Sequence, residues 1–257
     1  MSPEPAEGIT DNAALGGRLR LLQPRKGHRF GHDAILLAAA TPARAGDHVV
    51  ELGAGVGAAG LAVAARVPGI RLTLVEIDPL LTALAVRNIA RNGLAESATA
   101  VCLDVAAEVE LFAAEGLPAG CADLVLMNPP FYDPRQNTLS PDARRRAAHA
   151  GGRDVLDTWV SAAYRLLRAR GVLTLIYRAD GRDDVAAALS AGFGRVVMLP
   201  ILPRKNEPAI RVIVCAGKGE QGPARLLSGM PLNGSSGKPT EEAEAALRHA
   251  AALKMGD

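Results

Sequence analysis

The run Val49-Val50-Glu51-Leu52-Gly53-Ala54-Gly55-Val56-Gly57 decides the reading of this chain. A short apolar strand gives way to glycines at 53, 55 and 57, and a helical stretch follows. Glycines in a strand-to-helix turn let the backbone come close to a ligand with no side chain in the way. A turn of this kind opens a parallel βαβ unit and marks a crevice at the carboxyl end of its strand.

Working outward, apolar runs of strand length alternate with helical patterns from about residue 47 to 200, the sequence form of a parallel sheet covered by helices. Strands are expected over 47–52, 70–76, 98–103, 122–127 and 171–178. They are rich in Val, Leu and Ile, as strands buried on both faces should be. The clearest helix runs over 155–168, where Val155, Leu156, Trp159, Val160, Ala163, Leu166 and Leu167 recur at spacings of three and four, with Gly171 read as its stop signal. Two later runs, 195–202 and 209–216, flank Pro203-Arg204-Lys205-Asn206-Glu207-Pro208 and read as an antiparallel hairpin closing the sheet edge. The fold class expected is therefore α/β, a Rossmann-like doubly wound mixed sheet of seven strands. Beyond Gly217 the chain is rich in Gly, Pro and Ser and reads as a loose segment, followed by a helix from Thr240 as N-cap.

Composition narrows the function. The chain has 257 residues, 49% hydrophobic and 22% charged, and 29 Lys and Arg against 27 Asp and Glu. That balance argues against a disordered protein or a polybasic nucleic-acid tail, so any nucleic-acid role must rest on local patches. The first ten residues lack a signal-peptide pattern and no apolar run reaches the ~20 residues of a membrane span, so a soluble, cytoplasmic protein is expected. Cys102, Cys121 and Cys215 are widely spaced and form no metal or disulfide pattern; no metal is expected.

Glu76 ends the second parallel strand, where a carboxylate can accept hydrogen bonds from both ribose hydroxyls of an adenosine-containing cofactor. NAD and S-adenosylmethionine both meet that description. Glu51 leading directly into the turn, Asp104 closing the third strand and the terminal hairpin favour S-adenosylmethionine, and the pattern resembles the class I methyltransferases. The resemblance implies that Glu51 lies near the methionine end, that Glu76 holds the ribose and that Asp104 with Val105 contacts the adenine. Gly53, Ala54, Gly55, Gly57, Ile77 and Asn128 complete the expected cofactor site.

Leu126-Met127-Asn128-Pro129-Pro130-Phe131 stands at the carboxyl end of the fourth strand, across the switch point from the glycine turn. Two successive prolines make a stiff turn whose carbonyls point outward as acceptors. An exocyclic amino group on a nucleobase is a poor nucleophile and must be held for in-line attack. The Asn128 side-chain oxygen and the Pro129 carbonyl can each take one amino hydrogen, Pro130 stiffens the turn, and Phe131 can stack on the base. No metal and no strong base is required, because the proton can leave after methyl transfer. The motif resembles the Asn-Pro-Pro-aromatic signature of amino-directed methyltransferases, a class whose acceptors include adenine N6, guanine N2 and a protein glutamine.

The stretch from Leu15 to Ala39, containing Arg25-Lys26-Gly27-His28-Arg29-Phe30-Gly31-His32-Asp33, resembles the amino-terminal segment of the bacterial tRNA(Val) adenine-N6-methyltransferase family. Taken with both motifs, the likeness spans about residues 10–216. It implies a methyltransferase acting on adenine N6 in structured RNA, tRNA first among them, with Phe30 and Asp33 at the lid of the cofactor pocket. The alternatives are an rRNA base or a protein glutamine as acceptor, or a non-catalytic RNA scaffold. The organisation expected is a substrate and lid extension over 1–41, a methyltransferase domain over 42–216, and a flexible segment with a terminal helix over 217–257, as a monomer or homodimer. Candidate phosphate contacts are Arg25, Lys26 and Arg29, then Arg144, Arg145 and Arg146 in the long loop after the Asn-Pro-Pro-Phe motif, then Arg204 and Lys205 at the hairpin tip.

Overall fold

The structure is a computed structural model and describes residues 8–26, 29–130 and 152–256. Five parallel strands, β3 (His48–Leu52), β4 (Arg71–Glu76), β5 (Ala98–Cys102), β6 (Ala122–Met127) and β7 (Leu167–Arg178), form its centre, joined by β9 (Arg211–Lys218) and β8 (Phe193–Arg204). Their order across the sheet is β8-β9-β7-β6-β3-β4-β5, with β9 antiparallel to both neighbours. From β3 the chain winds to β4 and β5 on one side and returns to β6 and β7 on the other, so the switch point lies between β3 and β6.

Alternation along each strand builds two cores. Val49, Leu72, Leu74, Leu124 and Leu126 face α1 (His32–Ala40), α2 (Ala58–Arg66) and α3 (Pro79–Arg91). Val50, Leu52, Val75, Val125 and Met127 face α4 (Val109–Ala114), α5 (Gly152–Leu166) and α6 (Arg182–Leu189). Both faces are covered, which is why these strands read as continuous apolar runs. Asp78 caps α3, accepting from the Leu80 and Leu81 N–H groups at 2.8 and 3.2 Å, with Pro79 at the first helical position.

The expected strands and hairpin are present, and four features add to the expectation or differ from it. First, the sheet carries nine strands: the short β10 (Arg225–Leu226) and β11 (Met230–Asn233) pair in parallel with the outer edge of β8. The Gly/Pro-rich segment after Gly217 thus supplies edge strands, because an uncovered β8 offers backbone groups that need partners. Second, α7 (Glu241–His249) is capped by Thr240 as expected, and of the docked and free arrangements open to it takes the docked one, lying with the residues after it on α1, where the Leu253 N–H donates to the Ala39 carbonyl at 2.8 Å. Third, Gly171 does not stop a helix. α5 ends at Leu166 and Gly171 lies inside β7, in an irregularity that separates the Ala122–Leu167 pair from the Leu124–Val172 pair. A Cβ at Gly171 would stand 2.9 Å from the Asp123 carbonyl oxygen, so strand contact accounts for this glycine. Fourth, residues before α1 form an antiparallel hairpin, β1 (Ile9–Ala14) and β2 (Leu19–Pro24), which composition did not indicate.

Candidate active site

The glycine turn and the Asn-Pro-Pro turn leave adjacent parallel strands at the same edge. Leu52 and Met127 are register partners, so Gly53 and Asn128 are the first residues past a paired strand end. Gly53 has φ +65°, and a Cβ there would lie 2.2 Å from the Trp159 ring of α5. Backbone conformation and ring packing both require glycine. The turn is closed by the Ala54 N–H donating to the Val75 carbonyl at 2.9 Å and the Gly57 N–H donating to the Ala54 carbonyl at 2.8 Å.

Two buried carboxylates hold this turn. Glu76 accepts from the Gly55 N–H at 2.7 Å through Oε2 and from the Asp78 N–H at 2.9 Å through Oε1, tying the turn to the loop after β4. Each oxygen retains a lone pair for a further donor. Glu51 accepts from the Gly60 N–H at 2.6 Å, and Gly60 lacks a side chain because a Cβ would stand 2.7 Å from that same carboxylate oxygen. Burial, with the Glu76 charge adding to it, pushes the Glu51 carboxyl up to about 8, so in the unliganded protein it is largely protonated at neutral pH.

That shift has a pH signature. The folded chain keeps a proton on Glu51 that the unfolded chain releases near the ordinary carboxylate range, so this contribution to stability is complete below about pH 4.5 and is lost as pH rises through about 8. Glu51→Gln retains an acceptor for Gly60 and cannot ionise. Melting curves of the ligand-free protein between pH 5 and 9 should show Tm falling less with pH in the variant than in the parent. Parallel slopes would mean that Glu51 is ionised in both states.

The remaining expected residues fall as follows. Val105 and Pro129 are buried, Asn128 is half-buried, Asp104 and Pro130 are exposed, and Ile77 presents an apolar side chain at 60% exposure beside Glu76. Among the described residues nothing lies within 4 Å of a Cβ built on Gly55, so that side of the turn is open. Asp33, in the first turn of α1, accepts from Arg211 Nε at 2.7 Å, which joins the amino-terminal segment to the start of β9 at this edge. Phe30 packs on Leu22, Val56 and Leu84. Arg25, Lys26, Arg204 and Lys205 are exposed; Arg204 pairs with Glu207 at 3.2 Å, and Arg29 donates to Asn12 Oδ1 at 3.2 Å. Phe131, Arg144, Arg145 and Arg146 lie outside the described residues. Among the described residues no group of His, Cys, Asp or Glu is arranged to hold a metal, and no helix is long and apolar enough to cross a membrane. Sequence reasoning passed over Trp159, read only as core, and Asn88 of α3 with Asn92 at its C-cap, which carry no motif.

The strand order, the reversed β9 and the carboxylate-anchored glycine turn define the class I methyltransferase fold. Residues 29–200 match the methyltransferase small domain family, and the chain belongs to that family. A relative from Aeromonas hydrophila, named tRNA1(Val) (adenine(37)-N6)-methyltransferase, is 30% identical over 194 residues, covering 74% of this chain and 77% of the relative. The ribosomal RNA small subunit methyltransferase C of Shigella flexneri is 29% identical, but the match covers 56% of this chain and 35% of that one. A solved structure from Agrobacterium tumefaciens, described as a predicted O-methyltransferase, superposes with a TM-score of 0.71 at 27% identity, covering 86% of this chain and 98% of the other.

Proposed function

We propose that this chain is an S-adenosylmethionine-dependent methyltransferase acting on the N6 amino group of adenine in structured RNA, with tRNA as the substrate. The observation that carries the reading is the placement of Asn128 and Pro129 directly after Met127, the strand end that pairs with Leu52 just before the glycine turn. The Aeromonas relative supports adenine N6 and tRNA as the target, with position 37 the first to test. The Agrobacterium structure supports the fold.

The residues present fit the cofactor. Gly55 faces open space, Glu76 has lone pairs for two ribose hydroxyls, and Ile77 offers an apolar surface for a purine face. Glu51 is a buried carboxyl with no cation of the chain among the influences on its protonation, so a ligand's positive charge beside it would favour its ionised form. Bound there, S-adenosylmethionine supplies an electrophilic methyl on a sulfonium, and Gly53 to Gly57, Glu51, Glu76, Ile77, Asp104 and Val105 would hold it.

The chain's own part in the chemistry is orientation. Asn128 Oδ1 and the Pro129 carbonyl accept the two amino hydrogens, which aims the nitrogen lone pair and favours its pyramidal form. Pro129 and Pro130 hold these acceptors still, so little reorganisation is needed in the transition state. A base inside a helix cannot reach this turn, so the target must be unpaired or extruded. Arg25, Lys26, Arg204 and Lys205 are exposed and offer charge for the backbone phosphates.

The test is methyl transfer from labelled S-adenosylmethionine into unmodified tRNA, with ribosomal RNA and release factor in parallel, followed by nucleoside and amino-acid analysis. N6-methyladenosine in tRNA is the expected product. Label confined to ribosomal RNA or to glutamine would move the substrate, and cofactor binding without transfer to any of the three would favour the scaffold.

A further inference from the structure

The amino-terminal hairpin meets α3 through two asparagines. The Leu22 N–H donates to Asn88 Oδ1 at 2.7 Å and Asn88 Nδ2 donates back to the Leu22 carbonyl at 3.0 Å. One turn on, the Arg20 N–H donates to Asn92 Oδ1 at 2.9 Å and Asn92 Nδ2 donates to the Arg20 carbonyl at 2.8 Å. Residues four apart on a helix rise about 6 Å, and residues two apart on a strand about 6.6 Å, so α3 presents two amides in register with one edge of β2. The amides stand where a third strand would pair.

Asn88 does more than its neighbour. Its second Nδ2 hydrogen goes to the Val56 carbonyl at 3.0 Å, inside the glycine turn, and the side chain is completely buried. Leu22, Val56 and Leu84 form a small apolar cluster around this bond, with Phe30 packed on it. The next residue of β2, Gln23, is also buried and accepts from the Phe30 N–H at 3.2 Å. Two segments remote in sequence, the glycine turn and β2, thus meet at one amide, and Gln23 ties the residues leading into α1 to the same strand.

We propose that Asn88 is a positioning residue for methyl transfer: by bonding Val56 and Leu22 together it sets the shape of the cofactor turn and makes that shape depend on the docked hairpin. The proposal rests on the cofactor reading above. Asn92 supplies the matched control, because it docks the same strand and makes no bond to the turn. The Asn88 side chain bonds the cofactor turn and β2, so its loss should weaken cofactor binding and leave the saturated rate far less affected.

Trp159 provides the readout. It is the sole tryptophan and its ring lies against Gly53, so its emission should report occupancy of the turn without any transfer step. The probe is S-adenosylhomocysteine, titrated into the parent, Asn88→Ala, Asn88→Ser and Asn92→Ala, with Tm recorded for each. The serine variant can keep one of the three bonds, which guards against an alanine variant that does not fold. The expected result is a Kd raised at least tenfold in the folded Asn88 variants and less than threefold in Asn92→Ala, with KM for the cofactor following Kd. Equal shifts for Asn88 and Asn92, or a Tm loss at Asn88 with an unmoved Kd, would reduce Asn88 to hairpin docking and overturn the proposal. A parent protein that binds no S-adenosylhomocysteine and transfers no methyl would overturn the cofactor reading itself.

Discussion

Replacing Asn128 with alanine should lower kcat by roughly 100- to 1000-fold, about 3 to 4 kcal/mol, while cofactor affinity changes less than about threefold. The reason is positional. Asn128 follows the last paired residue of β6, half-buried, beside Gly53. Its amide oxygen is one of the two acceptors proposed for the substrate amino group. A group that only orients the nucleophile in the transition state should take kcat and kcat/KM down together. Asn128→Asp keeps an oxygen acceptor and should lose less. Single-turnover rates at saturating RNA and cofactor decide the matter, and comparable rates in parent and alanine variant would remove Asn128 from the mechanism.

The second large effect is expected at Glu76. Its carboxylate takes the Gly55 and Asp78 N–H groups, so Glu76→Ala leaves two donors without their acceptor and removes the group proposed to hold the ribose. Hydrogen bonds to a charged acceptor are each worth about 1.5 to 3 kcal/mol. Cofactor Kd should therefore rise roughly 100-fold or more, about 3 kcal/mol, with a Tm lower by several degrees. Glu76→Gln keeps one acceptor and should fall between. The Glu76 charge also helps to raise the Glu51 carboxyl, so the pH dependence of stability assigned to Glu51 should move toward lower pH in both variants. Calorimetry with S-adenosylhomocysteine measures the first effect and melting curves the second. An unchanged Kd in a folded Glu76→Ala protein would show that the ribose is held elsewhere.

These effects are expected at residues that the sequence had already singled out. The central strands, the glycine turn, the acidic residues at strand ends and the Asn-Pro-Pro turn are all written in short windows, where side-chain periodicity and the special backbone of Gly and Pro act over a few residues. The helix cap at Thr240 was legible for the same reason. The β1–β2 hairpin was not, because Ile9-Thr10-Asp11-Asn12-Ala13-Ala14 has no alternation to read. Its polar residues Thr10, Asn12 and Gln23 satisfy one another, Thr10 donating to Asn12 at 2.9 Å and Gln23 to Asn12 at 2.9 Å.

Local pattern therefore settled the class of fold and marked the two turns that leave paired strand ends at one sheet edge. Which distant groups meet there was settled by packing alone. Trp159 read as one more apolar position on α5, yet its ring fills the space beside Gly53. Asp33 reaches Arg211 across most of the chain, and Asn88 joins Leu22 to Val56 from a helix with no motif of its own. Likewise the Gly- and Pro-rich stretch after Gly217 became strands only because β8 presented an edge to pair. A buried polar group must find a partner wherever the fold brings one within about 3 Å, and that partner's place in the sequence carries no trace of the meeting.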